Sequence, residues 1–129
     1  MFEWDNSYKT GIQSIDAEHL MLFSLMNQIK ININADRGKE CVADILDALS
    51  VYASFHFANE KKLMETANFP EIDDHITEHM NFSRAVNNMK TKDISIYKVQ
   101  SYLIDWLICH ILGTDAKFVR FIQNTKVVQ

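Results

Sequence analysis

Five histidines and one glutamate in this chain are spaced so that they could hold metal. His56 and Glu60 lie four residues apart in SFHFANEKK, and His75 and His79 lie four apart in HITEH. A helix returns a side chain to the same face at that step. The neighbours that extend those faces are apolar: Val42, Ile45, Leu46, Leu49, Tyr52 and Ala53 before His56, and Leu63 after Glu60. His19 and His110 also sit on apolar stripes. One histidine on such a face is ordinarily a satisfied core residue. A set of five with a carboxylate is different. Unpartnered imidazoles buried in a core cost a few kcal/mol each, and a lone carboxylate costs more. Against a total stability of about 5–15 kcal/mol, something must compensate them. A metal cluster does so by turning each lone pair into a bond.

The elements that must position these groups are helical. Apolar residues recur every three or four positions in four segments, and no alternation of period two is found. The first segment runs from about residue 14 to 35, with His19, Leu22, Phe23, Met26 and Ile29 on its stripe. The second runs from about 39 to 66. The third runs from about 70 to 90, with Pro70 in its first turn, and carries His75, His79, Phe82 and Val86. The fourth starts near Asp93, a candidate N-cap, and carries Val99, Leu103, Trp106, Leu107 and His110. Each would be roughly 30 Å long at about 1.5 Å per residue. Short loops make successive helices antiparallel, which predicts an all-α, up-down-up-down four-helix bundle. Gly11 belongs to an N-terminal arm. A short helical extension after Gly113, through Lys117, Phe118 and Phe121, should pack on one end. Residues 1–129 read as a single domain.

In such a bundle the five histidines come to one level. His56 and Glu60 are late in the second helix, His75 and His79 early in the third, His110 late in the fourth and His19 early in the first. Asp115 is a further candidate. It is five residues after His110, about 140° around a regular helix, so the two converge only if the helix breaks between them. Gly113 is placed to allow that break. Imidazole suits zinc, copper, iron and nickel, and five histidines are too many for one tetrahedral zinc. Two metals bridged by carboxylates fit the count. The Glu-x-x-His pairs of the carboxylate-rich di-iron bundles are absent, so the site is rich in nitrogen.

Bulk properties exclude other classes. The formal charge of −4 is mild and mixed along the chain, with no basic stripe, so nucleic acid is not expected as a partner. The start, MFEWDNSYKTG, lacks a basic segment followed by an apolar run, and YLIDWLICHIL is too short to span a bilayer. No membrane partner is expected. Cys41 and Cys109 form no close-spaced metal or redox motif and read as reduced thiols, which points to the cytoplasm.

Histidine, then HxxxE, HxxxH and HxxxxD, in that order on four helices, resembles the hemerythrin family, and within it the single-domain bacteriohemerythrins. The residues that carry the resemblance are WDNSYKTGIQSIDAEH, HFANEKKLM, HITEH and WLICHILGTD, spread over nearly the whole chain. It implies two non-haem iron ions with an oxo or hydroxo bridge. His75, His79 and His110 would bind one iron, and His19 and His56 the other. Glu60 and Asp115 would bridge both. Leu22, Phe57, Trp106 and Ile111 would line a dry oxygen pocket beside the open position on the second iron. The implied function is reversible dioxygen binding for storage, delivery or sensing, by a protein that is not an enzyme. The alternative is a di-iron enzyme acting on peroxide or nitric oxide. A third class, a bare interaction or phosphotransfer bundle, would expose its key histidine.

Overall fold

The computed structural model describes residues 4–34, 38–92 and 95–128. Five α-helices follow a short 3₁₀ turn at Asn6–Tyr8: α1 (Gln13–Asn34), α2 (Gly38–Ala67), α3 (Ile72–Thr91), α4 (Ile96–Cys109) and α5 (Ala116–Val128). A π-helical turn, His110–Asp115, joins α4 to α5. No strand occurs among the described residues. The first four helices form the expected antiparallel bundle, and α5 continues α4 past one end.

The N-terminal arm is tied to the bundle by aromatic packing. The rings of Trp4, Tyr8 and Phe23 lie 5.2–5.6 Å apart in tilted and edge-on pairs. Contacts of this kind contribute about 0.5–1.5 kcal/mol each beyond their buried area. The turn into α1 uses Gly11 at φ +86°, a conformation that favours glycine. The Asp16 carboxylate holds that turn by accepting from the Thr10 N–H and hydroxyl, both at 2.8 Å, and from the Gly11 N–H at 3.2 Å.

The passage from α2 to α3 differs from expectation. Asn68 takes a left-handed conformation, φ 56°, just past the end of α2. Its N–H donates to the Glu65 carbonyl and the Phe69 N–H to the Met64 carbonyl, the Schellman pattern. Phe69 and Met64 then pack together in the core. This cap uses up residues 68 and 69, so Pro70 falls in the turn before α3 rather than in its first turn. Glu71 is the N-cap. At the start of α4 the residue before the helix is Ser95; Asp93 lies outside the described residues.

The core has two parts with the polar residues between them. The larger includes Leu22, Met26, Leu49, Phe82, Leu103 and Ile111. The smaller comprises Ile15, Met64, Phe69 and Phe118, with Phe121 packed against it. Each contributing stretch passes from one part to the other through the histidine level. On α1 the order is Ile15, His19, Leu22; on α2 it is Ala53, His56, Glu60, Met64. The extension in α5 thus covers the end of the bundle beside the site.

Candidate metal centre

All five histidines, Glu60 and Asp115 are buried, none more than 4% exposed. They come from α1, α2, α3 and the π turn that follows α4. Glu60 places one carboxylate oxygen 2.7 Å from His75 Nε2 and the other 2.7 Å from His56 Nε2. Asp115 places one oxygen 3.0 Å from His19 Nε2 and the other 3.0 Å from both His75 Nε2 and His110 Nε2. His79 Nε2 lies 3.1 Å from His110 Nε2.

These atoms fall into two sets. Glu60, His75, His79, His110 and Asp115 offer ligand atoms all within 4.8 Å of one another; so do His19, His56, Glu60 and Asp115. The two carboxylates belong to both. Several of the atoms are orphans despite the short distances. His19 Nε2, His56 Nε2, one oxygen of Glu60 and both of Asp115 are buried without a properly directed hydrogen bond. They crowd against one another across the two sets. A buried polar atom left this way costs about 1–3 kcal/mol, and a cation held in each set would satisfy them all. The donor set fits metal.

Asp115 reaches His110 without the expected break in the helix. The stretch from His110 to Asp115 is a π turn, and its five-residue hydrogen-bonded period brings residue i+5 back to the side of residue i. Gly113 keeps a negative φ there and has open space where a Cβ would stand. It is not a hinge.

Two carboxylates that sequence reasoning missed support the cluster from outside. Glu18 Oε1 accepts from His56 Nδ1–H at 2.6 Å, and Asn59 donates to Glu18 Oε2 at 2.9 Å. Glu78 Oε1 accepts from His110 Nδ1–H at 2.6 Å, and the Thr114 hydroxyl donates to Glu78 Oε2 at 2.6 Å. A carboxylate on Nδ1–H leaves Nε2 as the bare lone pair and sharpens it as a ligand. A signal was available: Glu18 and Glu78 each precede a histidine, and Glu18 lies on the stripe Ile15, Glu18, Leu22. Each serves a histidine of a different element, which spacing along one helix does not show.

Aromatic rings close the site toward the large core. Phe57 stacks on His79 at 3.9 Å and 8°, and Trp106 on His110 at 4.4 Å and 13°. Phe82 packs on both aromatics. Leu22 and Ile111 are buried in the same cluster as Phe57. Of the four residues expected to line a pocket, Phe57 and the half-buried Trp106 thus stack on histidines, and Leu22 and Ile111 share their apolar cluster.

Protonation follows from these contacts. Burial pulls His56 down, but hydrogen bonds to Glu18 and Glu60 outweigh it and push it up to about 9. Burial likewise opposes the bonds from Asp115 and Glu60 that push His75 up to about 9. Burial also pulls His110 down, yet the charge and hydrogen bond of Asp115, with Glu78, raise it to about 10. His79 moves the other way, lowered chiefly by burial. Burial pushes Glu60 and Asp115 up, but the imidazoles around them hold both carboxyls well below the usual range.

The sign of the pH dependence is then set for the metal-free chain. An unfolded histidine titrates near 6.5. The stabilisation from His56, His75 and His110 is complete below that value and lost as pH rises through about 9 to 10. The depressed His79 acts oppositely and only near 6.5 and below. We expect the urea midpoint of chelator-treated protein to fall steadily from pH 6.5 to 10; a flat profile would contradict these contacts. Metal must displace those protons, so loading at pH 7 should expel about three imidazole protons per chain.

A four-helix bundle whose interior histidines and carboxylates surround two adjoining points is a metal-binding bundle. The Hemerythrin HHE cation binding domain family matches residues 10–122. The chain is 28% identical to a bacteriohemerythrin of Clostridium acetobutylicum, covering 92% of this chain and 99% of that protein. It is 30% identical to a bacteriohemerythrin of Pseudomonas aeruginosa (95% and 82% covered) and 32% identical to a hemerythrin of Phascolopsis gouldii (91% and 90%). The chain belongs to the hemerythrin family, and its buried cluster has the residues to hold metal.

Proposed function

We propose that this protein binds dioxygen reversibly at a non-haem di-iron centre, for storage, delivery or sensing, and that residues 1–129 act as one hemerythrin-like domain. The single observation that carries this reading is the pair of overlapping ligand sets that share Glu60 and Asp115. His75, His79 and His110 would hold one iron, and His19 and His56 the other, with Glu60 and Asp115 shared between the two sets.

When bound, the iron pair supplies the electrons that hold dioxygen and recovers them on release. The chain's own residues do the rest. Glu18 and Glu78 fix the tautomers of His56 and His110 through Nδ1. Leu22 and Ile111, 3% and 2% exposed, keep water from the pocket, and Phe57 and Trp106 cover His79 and His110. A dry, low-dielectric wall opposes charge separation and so slows irreversible oxidation. The burial of all five histidines counts against a phosphotransfer bundle, which needs an exposed one. No helix among the described residues is long and apolar enough to cross a membrane. Cys109 is an exposed free thiol, which suits the cytoplasm.

The test is anaerobic reduction followed by air. Carriage predicts a stable oxygenated absorption spectrum that disappears under argon and returns with air over several cycles. Rapid one-way oxidation, with turnover of added peroxide or nitric oxide, would instead establish an enzyme.

A further inference from the structure

Every residue of the two ligand sets is buried, so a cation reaches them only through the wall around them. Two cavities among the described residues have a cluster histidine in their lining, and they differ in charge. The first, about 410 Å³, lies between α2 and α3 and reaches His79. Phe57, Ile76 and Met80 make it apolar, and its charged residues, Lys61 and Arg84, are both cationic. Such a lining repels a dication. The second, about 80 Å³, lies where the start of α3 meets the π turn and α5, and it reaches His75. Three carboxylates line it, Glu71, Asp74 and Glu78, against one cation, Lys117.

Two observations set this small cavity apart from a merely solvated acidic surface. Glu71 and Asp74 are exposed, and among the described residues no hydrogen bond or ion pair engages either carboxylate. His75, 2% exposed, lines the same cavity, and its Nδ1 is buried without a hydrogen-bond partner. Its other ring nitrogen, Nε2, lies inside the cluster, 2.7 Å from Glu60 and 3.0 Å from Asp115. One imidazole therefore separates the cavity from the ligand atoms. It is also a ring without an outer tether. His56 and His110 are each held at Nδ1 by a carboxylate, whereas His75 is free there to turn.

We propose that this cavity is the port through which the metal ions load. This rests on the reading of the cluster as the iron site. Glu71 and Asp74 gather a hydrated divalent cation at the mouth, and the untethered His75 ring turns to admit it. At about 30 Å³ per water, the cavity has room for a cation that keeps one or two waters. Carboxylate oxygens suit hydrated hard cations, and imidazole suits iron, so the path runs from weaker ligands to stronger ones. Neither Glu71 nor Asp74 belongs to a ligand set, so both act on the rate of loading and not on its end point.

Uptake of ferrous iron by the metal-free full-length chain is followed by stopped flow under argon. The readout is quenching of tryptophan fluorescence, because Trp106 stacks on His110 at 4.4 Å. Metal content at equilibrium is measured alongside. Charged clefts raise association rates by about 10–10³-fold, so Glu71→Gln/Asp74→Asn should load roughly tenfold more slowly in low salt. That difference should shrink in about 0.5 M salt, which screens exposed charges, while the final metal content stays the same. Lys117→Gln should load faster. Lys61→Gln/Arg84→Gln, at the larger cavity, should load at the unsubstituted rate. An unchanged rate in Glu71→Gln/Asp74→Asn would overturn the port, as would a slowing that salt does not relieve. Faster loading of Lys61→Gln/Arg84→Gln would also overturn it, by placing entry at the larger cavity. An unsubstituted chain that takes up no metal would contradict the functional reading and the port together. Two metals bound at unchanged rates in all variants would overturn the port alone.

Discussion

Glu60→Ala is expected to leave the purified protein without its metal pair. Glu60 is 0% exposed and belongs to both ligand sets, with one oxygen 2.7 Å from His56 Nε2 and the other 2.7 Å from His75 Nε2. On the proposed reading, removing it takes one ligand from each metal and one of the two carboxylates they share. Loss of an outer hydrogen-bond partner alone weakens metal binding about 10–100-fold, so loss of a shared ligand should exceed about 100-fold. His56→Ala should be milder, weakening the two-histidine position first and sparing the three-histidine one. Glu65→Ala is the control. Its carboxylate is exposed and meets Lys61 at 3.9 Å, so metal content should not change. Elemental analysis of the three variants decides the matter. A Glu60→Ala protein with two metals and normal oxygen binding would mean that Glu60 is not shared.

Metal removal should destabilise the fold strongly. Without cations the core holds the unpartnered atoms of His19, His56, Glu60 and Asp115 between its two apolar parts. A ligand present at about 1,000 times its dissociation constant stabilises by about 4 kcal/mol. For a domain of this size that corresponds to roughly 15 °C in midpoint. Calorimetry of the loaded and chelated forms at pH 7 should show a drop of that order, reversed by adding metal back. The chelated form should retain helix, because α1 to α4 also bury the larger apolar cluster, which needs no metal. Equal midpoints would mean that the ion pairs among histidines and carboxylates already satisfy the core.

Much of this architecture was legible because helical period and burial act locally. The stripes that carry His19, His56, His75, His79 and His110 step by three and four, and each of these residues is buried. The end of α2 was less legible. Asn68 adopts a left-handed cap that moves Pro70 out of α3, and nothing in the apolar pattern marks that conformation. The π turn was hidden for a related reason. Period analysis assumes a constant rise and turn, so a five-residue step between His110 and Asp115 looks like divergence until one wider turn is allowed. Glu18 and Glu78 were missed because their partners are remote in sequence, 38 and 32 residues away. They became visible only when α1 met α2 and α3 met the π turn. Local rules found the residues that must be buried; packing between helices revealed what holds them.

The most direct test of the central claim is the metal count of the native protein, by elemental analysis of freshly isolated chains alongside protein quantification. Two irons per chain, lost together in Glu60→Ala, is the result predicted by two ligand sets that share Glu60 and Asp115. One metal ion per chain, or two zinc ions, would contradict it.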